Sequence, residues 1–235
     1  EVDTPLREGA RIRIGQNWYS DLGRLQFERS LDANYATAEA NRSEVKLLTG
    51  NRSWYGNGFT GLSGGNTPHL VLQGGALNKG DKIELTLGDK TEGSPGWMIQ
   101  SFTSDAMELK IEIDFLGDGV FVPVAQPRFS VVGDKPDHIR AVAPSIVAPG
   151  EAFTIRASVE DEYTNRASEP PARLFLYREG ELIASTYAID SDPAVFHFED
   201  IRLPSMPDRP AYLEVKDRRG KLHGISNPIV QRETD

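Results

Sequence analysis

Met107-Glu-Leu-Lys-Ile-Glu-Ile-Asp-Phe115 alternates without a fault. Met107, Leu109, Ile111, Ile113 and Phe115 fall on one side of an extended chain, and Glu108, Lys110, Glu112 and Asp114 fall on the other. A helix would scatter both sets around its axis. The segment therefore predicts a strand with one face in a core and one in water. The same period of two recurs in Ile83, Leu85 and Leu87, and again in Phe153, Ile155, Ala157 and Val159.

Shorter stretches read the same way at 11–14, 44–48, 69–73, 120–124, 128–132, 173–178, 181–187, 194–198, 211–216 and 228–231. Between them lie Asn78-Lys-Gly-Asp81, Pro149-Gly-Glu151, Arg178-Glu-Gly-Glu181 and Asp217-Arg-Arg-Gly220, whose residues accept tight or left-handed turns. Helical periodicity is nearly absent. The expected fold class is all-β, as two consecutive β-sandwich domains, because many short strands at even spacing build sandwiches and 235 residues exceed one typical domain. The polar stretch Gly133-Asp-Lys-Pro-Asp137 is the expected connector. It places a first domain at 1–133 and a second, immunoglobulin- or fibronectin-like, at 136–232. In the first, residues 15–68 contain long loops rich in glycine, asparagine, serine and aromatics, with a short helix near 32–40.

Composition limits function. A net charge of −9 and a sequence pI near 5.0 argue against a phosphate-tracking surface, since nucleic-acid binding draws on Lys and Arg. No apolar run is long enough to insert into a membrane as a helix. The absence of cysteine removes disulfides and thiolate chemistry, and it fits a bacterial periplasm or cytoplasm equally. The chain opens on Glu1 with no basic-then-apolar leader, which predicts a trimmed or excised piece.

Three stretches carry a resemblance: 142–154, reading Val-Ala-Pro-Ser-Ile-Val-Ala-Pro-Gly-Glu-Ala-Phe-Thr; Glu160-Asp-Glu-Tyr-Thr-Asn165; and Ser226-Asn-Pro-Ile229. With Leu87-Gly-Asp89, Gly93-Ser-Pro-Gly96 and Gly119-Val-Phe-Val-Pro123, they resemble the N-terminal β-rich region of an uncharacterised bacterial family. Its members continue into a metal-dependent hydrolase domain similar to the polymerase-and-histidinol-phosphatase type. The resemblance implies that a hydrolase domain, opening on a metal-binding Asp and His motif after Asn227-Pro228, is the partner in the same polypeptide. The residues of that motif are not in this sequence.

The residues themselves offer few chemical sites. His69, His138, His197 and His223 show neither His-x-His nor His-Glu-x-x-His spacing, and no Gly-x-Ser-x-Gly elbow marks a nucleophile. Asp114 and Asp118 flank Gly117 and precede Gly119; such oxygens suit weak calcium binding, while the same residues equally make a turn. No other cofactor is expected. Gly56, Gly58, Gly61, Gly64 and Gly65 lack the Lys-Ser/Thr of a phosphate loop. Trp18, Tyr19, Trp54, Tyr55 and Trp97 are the strongest binding candidates, because flat rings on loops stack on sugars or anchor a peptide, although large rings also pack over cores. Asn41-Arg-Ser43 and Asn51-Arg-Ser53 match the glycosylation acceptor pattern, which has meaning only in a secreted chain.

The leading expectation is a non-catalytic accessory region that positions or recruits substrate for the hydrolase domain, with no catalytic residues of its own. An autonomous carbohydrate- or peptide-binding module using the loop aromatics is the second reading, and an enzyme with an unrecognised site the third.

Overall fold

The computed structural model describes residues 2–16, 21–53, 66–203 and 210–232. Among these the regular elements are all β-strands. The chain divides into two compact units, Glu1–Val131 and Val132–Asp235.

The first unit contains β1 (Arg11–Gln16), β2 (Ala36–Ala40), β3 (Lys46–Ser53), β4 (Asn66–Gln73), β5 (Ile83–Leu87), β6 (Ser104–Asp114), β7 (Val122–Ala125) and β8 (Arg128–Val131). The alternating segment at 107–115 is the body of β6. It pairs antiparallel with β1, setting Ile12 opposite Ile113 and Ile14 opposite Ile111. One register thus gathers apolar side chains from both strands on one face. The sheet runs β3-β4-β1-β6-β7, and β8 pairs with an earlier stretch of β6. A two-stranded sheet, β2-β5, faces it. Ile14, Leu70, Leu72 and Ala36 are buried between the sheets, each large side chain contributing about 1.5–3 kcal/mol.

One expectation about this unit fails. The helix near 32–40 is instead a turn followed by β2, whose Ala36–Ala40 pair with Ile83–Leu87 of β5. Asn34 adopts φ 68° there, outside helical geometry, and cross-strand pairing outweighs the helix propensity of the alanines. The strand expected at 44–48 overlaps β3, and the stretch 15–68, expected to contain long loops, also holds β2 and the start of β4.

The second unit contains β9 (His138–Val142), β10 (Ile146–Val147), β11 (Ala152–Glu160), β12 (Arg173–Arg178), β13 (Glu181–Ile189), β14 (Asp192–Arg202), β15 (Glu214–Asp217), β16 (His223–Ile225) and β17 (Val230–Gln231). Seven of them form one antiparallel sheet ordered β16-β15-β12-β13-β14-β11-β9. This sheet rolls over until its ends meet: a Cβ built at Gly224 of β16 would stand 2.1 Å from the Ile139 carbonyl oxygen of β9. The rolled halves enclose a core that includes Ile155, Val159, Leu174, Leu176, Phe196 and Phe198, all nearly fully buried. Seven antiparallel strands around one such core make an immunoglobulin-like sandwich. β10 and β17 add a short parallel pair beside it.

Candidate functional site

Asp114 is completely buried at the end of β6. Its Oδ1 accepts from the Gly117 amide at 2.7 Å and the Asp118 amide at 3.1 Å, and its Oδ2 accepts from the Gly119 amide at 2.8 Å. Asp118 in turn accepts from the Val120 amide at 3.0 Å. Both carboxylates are thus turned toward N–H donors of their own loop, the geometry of an Asx-type turn. Gly117 has φ 75°, and a Cβ there would meet the Gly9 carbonyl oxygen at 2.7 Å, so the turn is tucked against the start of β1. The structure therefore brings Asp114 and Asp118 together as turn formers.

Trp97 is half-buried. Its indole Nε1 donates to the Gly23 carbonyl at 2.8 Å, and its ring tilts against Phe129 with centroids 5.7 Å apart. Both ends of the side chain are engaged inside the first unit. Trp18, Tyr19, Trp54 and Tyr55 lie outside the described residues. His69 is buried in β4, His138 lies beside Asp137 and Glu160, and His223 lies beside Glu214. Among the described residues, no three His, Cys, Asp or Glu side chains are grouped to hold a metal ion.

The motifs behind the family resemblance turn out to be clamps between distant segments. Gly88 has φ 66° and lies so close to the Trp97 backbone that a Cβ would stand 2.3 Å from its nitrogen. Neighbouring Asp89 accepts from Thr37 Oγ1 at 2.7 Å and from the amide and hydroxyl of Thr91 at 2.9 and 2.8 Å. The Thr37 hydroxyl bond, followed by those from Thr91, holds this carboxyl below the ordinary carboxylate value.

Asp161 is the centre of a second clamp. It is 1% exposed. Its Oδ1 accepts from the amides of Tyr163 and Asn165, both at 2.9 Å. Its Oδ2 accepts from the Asp134 amide and from Asn165 Nδ2, both at 3.0 Å. Burial raises its pKa more than any single partner lowers it. The combined bonds from Asp134, Asn165 and Tyr163 nonetheless outweigh burial and leave it below the ordinary value. The segment leading into β9 is thereby fastened through Asp134 to the loop after β11. Thr164, at φ 69°, completes the tight turn that lets one carboxylate reach all these donors.

Asn227 fastens the other end. Its Oδ1 accepts from the Ala143 amide at 2.8 Å and its Nδ2 donates to the Ala143 carbonyl at 2.9 Å. A side-chain amide thus imitates one rung of a β-ladder, and Nδ2 reaches Ser145 Oγ at 3.2 Å as well. Sequence reading flagged these stretches only as motifs. The signal for their role was an Asp or Asn beside turn-forming residues, which names a cap without naming its partner.

The first unit also contains a cavity of about 360 Å³ between its sheets. Ile12 and Ile14 of β1, Ile111 and Ile113 of β6, and Ile83 and Leu85 of β5 line it, and Val124, Ala125, Asp3 and Thr4 border it. The alternation of β5 and β6 predicted these positions as core, yet Ile83, Leu85, Ile111 and Ile113 are only half-buried. Closed and empty, 360 Å³ at ~24 cal/mol per Å³ would cost about 9 kcal/mol. That rivals the entire stability of a typical domain, so this space is not a closed void.

No protein-family model matches the sequence, and no curated protein matches it. Among solved structures, the chain is similar to FdeC, described as a broadly conserved Escherichia coli adhesin, at 11% identity and TM-score 0.33, over 100% of this chain and 68% of that one. It is also similar to a chimeric titin Z1Z2 tandem carrying a GRGDS peptide from fibronectin, at 11% identity and TM-score 0.24, over 91% of this chain and 100% of that one. At these TM-scores neither likeness bears on the fold or the role of this chain.

Proposed function

We propose that this chain is a non-catalytic accessory region that carries, and presents substrate to, a metal-dependent hydrolase domain in the same polypeptide. The observation that supports the reading is the fastening of the second unit at both ends, by Asp161 to the backbone at Asp134 and by Asn227 to the backbone at Ala143. A spacer that fixes the geometry of an attached domain needs its entering and leaving strands held to its own core, because a free connector would let the attached domain wander. The acidic motif residues serve this purpose, which fits a supporting role better than chemistry.

The test has two parts. The reading frame is followed beyond Asp235, where a domain opening on an Asp-x-His motif is expected; a stop codon directly after Asp235 overturns the carrier role. The purified chain is then assayed on phosphodiesters, phosphomonoesters and glycosides with manganese and with zinc. No turnover and no stoichiometric zinc, manganese or iron are expected, and turnover abolished by replacing one histidine overturns the non-catalytic reading.

A further inference from the structure

The two faces of the first unit are unequal. Among the described residues the sheet β3-β4-β1-β6-β7 is covered by β2-β5 together with Val2 and Leu6, and β2 lies toward β3. Between these layers Ile111 and Ile113 of β6 are only half-buried, and Val124 and Ala125 of β7 are exposed. That is where the cavity lies.

We propose that this cavity is a binding site for an uncharged apolar small molecule. Its volume of about 360 Å³ is more than twice that of the ~150 Å³ engineered cavity that stays dry and takes up benzene, and it falls within the ~300–1,000 Å³ range of small-molecule pockets. The walls are mostly apolar, eight of the fourteen lining residues being isoleucine or leucine, and the polar side chains among them are the exposed Asp3 and Thr4. The lining is predominantly apolar, which favours an apolar guest over ordered water. The carboxylate of Asp3 at the border sets the charge preference, since a guest ending in an anion would meet a like charge there. An alcohol, an ester or a hydrocarbon meets no such repulsion. An added peptide strand is the other way to fill an incomplete sandwich, but the adjoining edge strand β7 carries Pro123 and pairs with β6 through a register irregularity at Ile111/Glu112. Proline and bulges both blunt strand addition.

The test uses the full chain and the neutral fluorophore N-phenyl-1-naphthylamine. Saturable binding of one probe per chain is expected, with displacement by decanol at least tenfold more effective than by decanoate. Ala125→Trp, at the border, and Ile12→Phe, on the floor, fill the space; each is expected to weaken probe binding at least tenfold. If one of them fails to fold, the other stands as the test. Val122→Thr, on β7 but outside the lining, is expected to leave binding unchanged. Absence of saturable binding overturns the proposal, as does binding that survives both filling substitutions. So does equal loss on Val122→Thr, which would mean adsorption to the exposed valines. Displacement by an alternating apolar hexapeptide at lower concentration than by decanol would assign the cavity to a strand instead.

Discussion

Replacing Asp161 by alanine removes one side chain and orphans several donors. In the native loop its carboxylate accepts from the amides of Asp134, Tyr163 and Asn165 and from the Asn165 side chain. Hydrogen bonds to a charged group contribute about 1.5–3 kcal/mol each, but they share one carboxylate and are not additive. Glu162, Tyr163 and Thr164 are exposed, so water can reach part of the loop once the carboxylate is gone. A net loss of about 3 kcal/mol follows, confined to the second unit. For a domain of about 100 residues this lowers the melting temperature by roughly 12–24 °C, at ~4–8 °C per kcal/mol. The folded pKa of Asp161 is lowered from 3.8, so its stabilisation is fully present above the unfolded value and fades as pH falls through the folded one. The gap between wild type and Asp161→Ala should therefore hold steady from neutral pH down to the ordinary carboxylate range and narrow only below it. Thermal unfolding followed by circular dichroism, with hydrogen exchange at the Asp134 amide, measures both quantities. A loss under about 1 kcal/mol, or a gap already closing between pH 7 and 5, would refute the clamp.

Asp114→Ala should destabilise the first unit by about 2–4 kcal/mol through three orphaned turn amides, read from urea unfolding. Gly224→Ala forces a Cβ into the Ile139 carbonyl and should cost the second unit about 1–3 kcal/mol, because β16 and β9 must part; an unchanged melting temperature would deny their contact. Trp97→Phe keeps an aromatic ring against Phe129 but loses the indole bond to Gly23, with an expected loss of about 1 kcal/mol in the same urea assay. Phe196→Ala empties the centre of the second core, where the ring is fully buried, and should cost about 3–5 kcal/mol by the same measurement.

Strands were legible wherever one face meets a core and the other meets water. Arg173–Arg178 coincides with β12 residue for residue, and β5, β6 and β11 lie where their alternation placed them, because period two has no competing reading there. β2 was not legible, since Ala-Thr-Ala-Glu-Ala carries no hydrophobic contrast and becomes a strand only by pairing with β5. β16, only His223–Ile225, is defined by closing onto β9 and has no local signature. The candidate residues divide the same way. The carboxylate-and-glycine pattern at 114–119 announced a turn, and the structure builds one. That Asp161 would reach Asp134, or Asn227 reach Ala143, depends on separations no local pattern encodes. The cavity was invisible for the opposite reason: its lining reads as ordinary core.

The pairing of Ala143 with Asn227, 84 positions apart, and the parallel rung of β10 on β17 have a bearing on biosynthesis. At ~5–20 residues per second a ribosome needs roughly 4–17 s to cover that separation. Throughout this interval the opening strands of the second unit are outside the tunnel without their closing partners, β9 lacking β16 and β10 lacking β17. The first unit, complete by Val131, can fold meanwhile. The nascent second unit instead presents the apolar side chains of β9 and β11 to whatever is nearby, so holding chaperones should engage it after β11 emerges and release it once β16 and β17 have been made.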